Sequence, residues 1–176
     1  MLLEHKQLLK PDFGFYPDFE LNPPSTRWDP TRNMTVTGRP TKVFGVDFEY
    51  AGELKKGYLW TRTMGLIKGI VEKAYDREFI TCLVGHYPNG NTNISYHKDV
   101  MGTSGEGLIV NLSFGSPRVF NVKWDGCEKV DSYIMTNGQV LTFDYEANQL
   151  MQHAVPAVKG LSGERYSLTF RTHTHL

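Results

Sequence analysis

The chain has 176 residues, 40% of them hydrophobic and 22% charged, enough for one domain built round a single sizeable core. Its 19 basic and 19 acidic side chains cancel, so net charge gives no pull towards nucleic acid. No apolar run approaches a membrane span, Met1 to Phe15 mixes charges among its leucines, and Cys82 and Cys127 are too few for a disulfide framework, so a cytoplasmic monomer without membrane contact is expected.

Residues 1–50 carry Pro, Gly, Asp and Asn between short apolar stretches and read as loops and short strands. Between Asn22 and Phe44, Arg27, Arg32, Arg39 and Lys42 face only Asp29, a local cationic excess that on charge alone is a solvated loop. Between Tyr58 and Tyr75 the pattern changes: Trp60, Met64, Ile67, Val71 and Ala74 recur at helical spacing, with Arg62, Lys68 and Lys73 off that line. This predicts an amphipathic helix over 58–76 whose apolar stripe needs a sheet to cover it. Short β-branched and aromatic runs follow at 79–84, 107–114, 118–124, 140–143 and 165–170, separated by turn signals such as Pro88-Asn89-Gly90 and Gly115-Ser116-Pro117. The spacing predicts a mainly β, α+β domain: one helix in front of a β-sandwich or jelly roll.

Two features carry chemistry. His97 and Asp99 form H-x-D, which on a strand directs both side chains to one face, and His153 follows downstream. Two imidazoles and a carboxylate are the facial triad of non-haem iron(II) oxygenases, which leaves coordination positions open for cosubstrate and oxygen. His86, His173 and His175 are competing imidazoles. The second feature is Arg165-Tyr166-Ser167-Leu168-Thr169-Phe170-Arg171, which alternates polar and apolar residues. Either its polar face is solvated, or it lines a pocket where two forked guanidiniums grip a dicarboxylate.

Together, H-x-D at 97–99, His153 and the R-Y-S-L-T-F-R run resemble the AlkB family of nucleic-acid dealkylating dioxygenases. Ser113-Phe114-Gly115 followed by Arg118-Val119-Phe120, Gly138 before Val140-Leu141, and Gly38-Arg39-Pro40-Thr41-Lys42-Val43-Phe44-Gly45 are similar to further family segments, the last to its substrate lid. The resemblance covers residues 37–171. It implies a double-stranded β-helix over 79–171 preceded by a lid within 1–57, in one domain over 1–176. It further implies iron(II) on His97, Asp99 and His153, and 2-oxoglutarate held at its distal carboxylate by Arg165 and Tyr87, with Arg171 towards the iron-side carboxylate. Oxygen is the co-oxidant. The implied reaction is oxidative demethylation of 1-methyladenine or 3-methylcytosine with release of formaldehyde, as in DNA repair. A base buried in a duplex must be single-stranded or flipped out to react. Arg39, Arg118, Phe44 and Trp28 are the candidate substrate contacts, with Arg27, Arg32 and Lys42 as backbone contacts.

The chain departs from the family at two places. Gly85 stands where an asparagine commonly contacts 2-oxoglutarate, and Val100-Met101 follow Asp99 where several repair members carry an acid. These departures keep two other readings open: the same chemistry on a protein side chain or modified nucleotide, and a catalytically silent β-sandwich that binds nucleic acid.

Overall fold

In the computed structural model, which describes residues 1–30, 33–50, 53–101 and 107–173, strands dominate. The N-terminal part contributes β1 (Leu3–Gln7), a hairpin of β2 (Thr26–Asp29) and β3 (Met34–Thr37), then β4 (Thr41–Gly45). A second small hairpin of β5 (Phe48–Tyr50) and β6 (Glu53–Lys55) precedes β7 (Gly57–Tyr58) and helix α1 (Arg62–Tyr75). Then come β8 (Thr81–Tyr87), β9 (Ile94–His97), β10 (Leu108–Gly115), β11 (Arg118–Trp124), β12 (Val130–Met135) and β13 (Gln139–Asp144). A short helix α2 (Tyr145–Leu150), β14 (Met151–Val155) and β15 (Arg165–Arg171) complete the described elements. The strands form a large sheet in the order β1-β13-β10-β15-β8-β4-β7 and a smaller one in the order β12-β11-β14-β9, the two layers of a jelly roll.

Helix α1 starts at Arg62 rather than Tyr58, because Thr61 caps it: its hydroxyl accepts the Met64 N–H at 3.3 Å. Asp18 reinforces the cap by accepting the Thr61 hydroxyl at 2.6 Å and the Thr63 N–H at 3.0 Å. The helix stops at Asp76, whose left-handed φ of 50° aims its N–H back at the Glu72 carbonyl. Met64, Ile67 and Val71 are fully buried against the large sheet, where they meet Phe44, Cys82, Val84, Leu168 and Phe170.

That packing decides which way the sheet presents its other face. β8 and β15 pair antiparallel with Arg165 opposite Tyr87 and Arg171 opposite Thr81. Side chains alternate along a strand, so with the even-numbered residues under α1 the odd-numbered ones all turn towards the second sheet. Arg165, Ser167, Thr169 and Arg171 are therefore buried, not solvated. Between the sheets, Phe120, Val122 and Met135 of the smaller one meet Ile109, Leu141 and Phe143 of the larger. The N-terminal region is more ordered into the fold than its composition suggests, since β1 pairs along β13 and β4 along β8. Among the described residues no helix is long and apolar enough to cross a membrane.

Candidate metal centre and dicarboxylate pocket

Strands β14 and β9 pair with His153 directly opposite His97, which brings the two imidazoles side by side at a centroid distance of 4.3 Å, tilted by 57°. Asp99 gets there differently. β9 ends at His97, so the strand geometry expected of H-x-D does not hold Asp99; its backbone is instead clamped by Asn148 from α2. The Asp99 N–H donates to Asn148 Oδ1 at 3.0 Å, and Asn148 Nδ2 donates to the Asp99 carbonyl at 2.8 Å. Asn148 is fully buried, and α2 is fixed by Asp144, whose carboxylate accepts the Ala147 N–H at 2.8 Å.

The result is a compact donor set. His97 Nε2 lies 3.6 Å from Asp99 Oδ1 and His153 Nε2 lies 3.8 Å from Asp99 Oδ2, and one ligand atom from each residue falls within 4.8 Å of the others. A cation about 2.0–2.2 Å from each ligand spans such separations. His97 Nδ1 is 2.9 Å from the Ser95 carbonyl, which can only accept, so Nδ1 carries the proton and Nε2 keeps its lone pair for a metal.

Protonation suits ligation too. Burial pushes the pKa of His153 down to about 4, outweighing the nearby Asp99 carboxylate, so the imidazole is neutral at physiological pH. Burial alone would push Asp99 up, but the Arg171 guanidinium, with Nη2 3.1 Å from Oδ1, holds it well below the usual carboxylate range. Two imidazole nitrogens and one carboxylate match iron(II).

Arg165 lies on the same inward-turned face of β15 as Arg171, opposite Tyr87. It is 1% exposed, and Nε donates to Ser113 Oγ at 2.7 Å. Both terminal nitrogens are buried without a hydrogen-bond partner, and burial lowers its pKa to about 10, so it still carries a charge at neutral pH. An unanswered buried cation is costly, and a carboxylate from a bound dicarboxylate would answer it. Tyr87 is buried beside it, with Arg165 Cζ 5.0 Å from the ring centroid. Thus the residues present fit both iron(II) and 2-oxoglutarate.

The remaining candidates separate. Phe44 is fully buried beneath α1, against Phe19 and Trp60, so it offers no stacking face to a base. Arg118 is also a correction: it is 2% exposed and donates to the backbone carbonyls of Thr92 and Pro156 at 2.7 Å each, joining two loops rather than meeting substrate. Trp28 is exposed on β2 but does not line the cleft, which its neighbours Arg27 and Asp29 do. Lys42 donates to the Glu20 carbonyl at 2.8 Å, and Arg32 and His175 lie outside the described residues. Arg39 lines the metal pocket and the outer cleft alike. Of the rival imidazoles, His86 pairs with Glu164 at 2.8 Å, and His173 lies beside Thr172.

Asn148 is the site residue that sequence reasoning misses. Its loss should leave the Asp99 N–H and carbonyl buried without partners, at about 1–3 kcal/mol of stability. Supporting groups of this kind typically contribute 10–100-fold in metal affinity. Asn148→Ala is therefore expected to weaken iron(II) or manganese(II) binding by about that factor in a chelator competition. Unchanged affinity would show that Asp99 needs no clamp.

The family described as the 2OG-Fe(II) oxygenase superfamily matches residues 25–171. A curated relative, uncharacterized protein R406 of Acanthamoeba polyphaga mimivirus, is 26% identical over 143 residues, which span 81% of this chain and 73% of that protein. The solved structure of OsALKBH1 is similar in fold, with a TM-score of 0.56 at 18% identity, covering 90% of this chain and 82% of that one.

Proposed function

The chain belongs to the 2OG-Fe(II) oxygenase superfamily, and from that premise we propose that it removes N-linked methyl groups from bases of single-stranded or flipped-out nucleic acid. It is an iron(II)- and 2-oxoglutarate-dependent dioxygenase with an AlkB-like fold. Bound at this centre, iron(II) with 2-oxoglutarate and dioxygen supplies an oxidant that hydroxylates carbon, with succinate and carbon dioxide as coproducts. On an N-methyl carbon the hydroxylated product sheds formaldehyde.

The chain's own residues set up that chemistry. His97 and His153 present imidazole nitrogens to the metal, and Arg171 keeps Asp99 ionised. Arg165 offers two unpaired donors to a distal carboxylate. Leu83, Phe120 and Val155 wall the metal pocket and restrict water around it.

The observation that carries the substrate reading is the cleft over His97. Its volume is about 460 Å³, within the range of small-molecule sites and suited to one nucleotide rather than a duplex. Arg27, Arg39, Lys55 and Lys98 line it against Asp29 and Glu53; Lys55 pairs with Glu53 and Lys98 with Asp125 at 2.7 Å, so Arg27 and Arg39 are the cations that suit a phosphate backbone. One feature favours a second reading, in which the substrate is a neutral modified nucleotide or a protein side chain: Val100, an apolar residue, lines the cleft just after Asp99, where no acid meets a cationic methylated base.

Mass spectrometry of single- and double-stranded DNA and RNA oligonucleotides carrying 1-methyladenine or 3-methylcytosine separates the two. Oxygen-dependent loss of one methyl mass is expected, greatest on single strands. Succinate formation without any methyl loss would overturn the demethylase reading and leave the second.

A further inference from the structure

Gly85 and Ser167 lie directly opposite each other on β8 and β15, on the face that carries Tyr87 and Arg165. Two small residues side by side leave a notch in the wall of the metal pocket. The notch is filled from outside the sheet pair. A Cβ placed at Gly85 would come within 2.6 Å of Arg39 Nε and 3.2 Å of its Nη2, so the guanidinium rests on the bare backbone of residue 85. From there Arg39 Cζ stands 5.0 Å from the Tyr87 ring centroid, matching Arg165 at 5.0 Å, with Arg118 at 5.3 Å. Neither Arg165 nor Arg118 has an acidic partner among the described residues. Cations gathered round one phenol ring in a buried pocket repel one another, and a dianion among them relieves that repulsion.

We propose that Arg39 is a 2-oxoglutarate-binding residue, admitted by Gly85, that ties the β2–β3 hairpin to cosubstrate occupancy. The tie follows from where Arg39 sits in the chain. It comes two residues after β3, next to Gly38, whose N–H donates to the Ser25 carbonyl at 2.9 Å across the base of the hairpin. On its other side the Pro40 carbonyl accepts the His86 N–H at 3.0 Å, on the strand that carries Tyr87. A carboxylate that engages Arg39 therefore holds the hairpin base against β8. Since the hairpin carries Arg27 and Asp29 of the outer cleft, that cleft is formed most completely when 2-oxoglutarate is already bound. The proposal rests on the cosubstrate requirement of the family and is independent of which substrate is oxidised.

The test is calorimetric titration of 2-oxoglutarate into the full chain loaded with manganese(II), comparing Arg39→Gln, Gly85→Ala and the double variant with the parent. Gly85→Ala adds one methyl group within a strand, so folding is preserved while the guanidinium is displaced. Each single variant is expected to raise the Kd about tenfold or more, as loss of a charged hydrogen bond does, and the double variant no further than the worse single one. Hydrogen exchange should slow in Thr26–Asp29 and Met34–Thr37 when 2-oxoglutarate is added to the parent, but not to Arg39→Gln. An unchanged Kd in Arg39→Gln, with binding still lost in Arg165→Met, would overturn the assignment of Arg39 alone. Unchanged binding in both would overturn the whole cosubstrate pocket.

Discussion

Replacing Arg165 with methionine should weaken 2-oxoglutarate binding by about two orders of magnitude or more, yet leave the cosubstrate-free protein no less stable. The two halves of that result come from the same physical state. In the free protein the guanidinium is buried with both terminal nitrogens unpaired, and burial already lowers its pKa to about 10. Methionine has a similar length and no charge, so the substitution removes a desolvation penalty and loses chiefly the bond to Ser113. With 2-oxoglutarate present the balance reverses, because a buried carboxylate is left without its counter-charge, at about 2–5 kcal/mol. The checks are the KM for 2-oxoglutarate and the Tm of the metal-loaded protein with and without it. A lowered Tm with an unchanged KM would make Arg165 a structural cation.

His153→Ala should abolish turnover, through loss of metal rather than loss of fold. The residue supplies one of the triad's two imidazole nitrogens, and its ring stacks on Phe120 at a centroid distance of 5.0 Å. Outer-shell partners of metal ligands already contribute about 10–100-fold, so a ligand itself should contribute more. The expected outcome is iron content near zero after dialysis and turnover lowered by more than about 100-fold. Truncating a buried ring also costs stability, so circular dichroism should confirm native β-structure in the variant. A variant that retains iron and turnover would remove His153 from the centre.

The parts of this site legible in the sequence were those encoded by local periodicity. The alternation of Arg165 to Arg171 is readable from one strand, and the structure adds only which face turns inward. That choice is made elsewhere, by α1 covering Leu168 and Phe170, so strand pattern alone left a solvated and a buried reading equally open. The histidines of the triad were named from residue type and spacing, and cross-strand pairing joins them.

What could not be read were contacts between distant segments. Asn148 clamps Asp99 from α2, and nothing near position 99 announces it. Phe44 reads as a lid aromatic until α1 is seen to cover it, and Arg118 as a substrate contact until two loop carbonyls close on it. The absent side chain at Gly85 reads as a lost cosubstrate contact. In three dimensions it is the space that Arg39 occupies.

The most direct test of the whole arrangement is an anaerobic titration of 2-oxoglutarate into iron(II)-loaded protein, followed by visible absorption. Chelation of iron(II) by a 2-oxo acid gives a charge-transfer band, so the band reports metal and cosubstrate in one pocket. The account predicts a band that saturates at one equivalent per chain in the parent, needs far more 2-oxoglutarate in Arg165→Met, and is absent in His153→Ala. A band of full intensity in both variants would contradict it, because iron and 2-oxoglutarate would then meet somewhere other than the space between the sheets that His97, Asp99, His153 and Arg165 line.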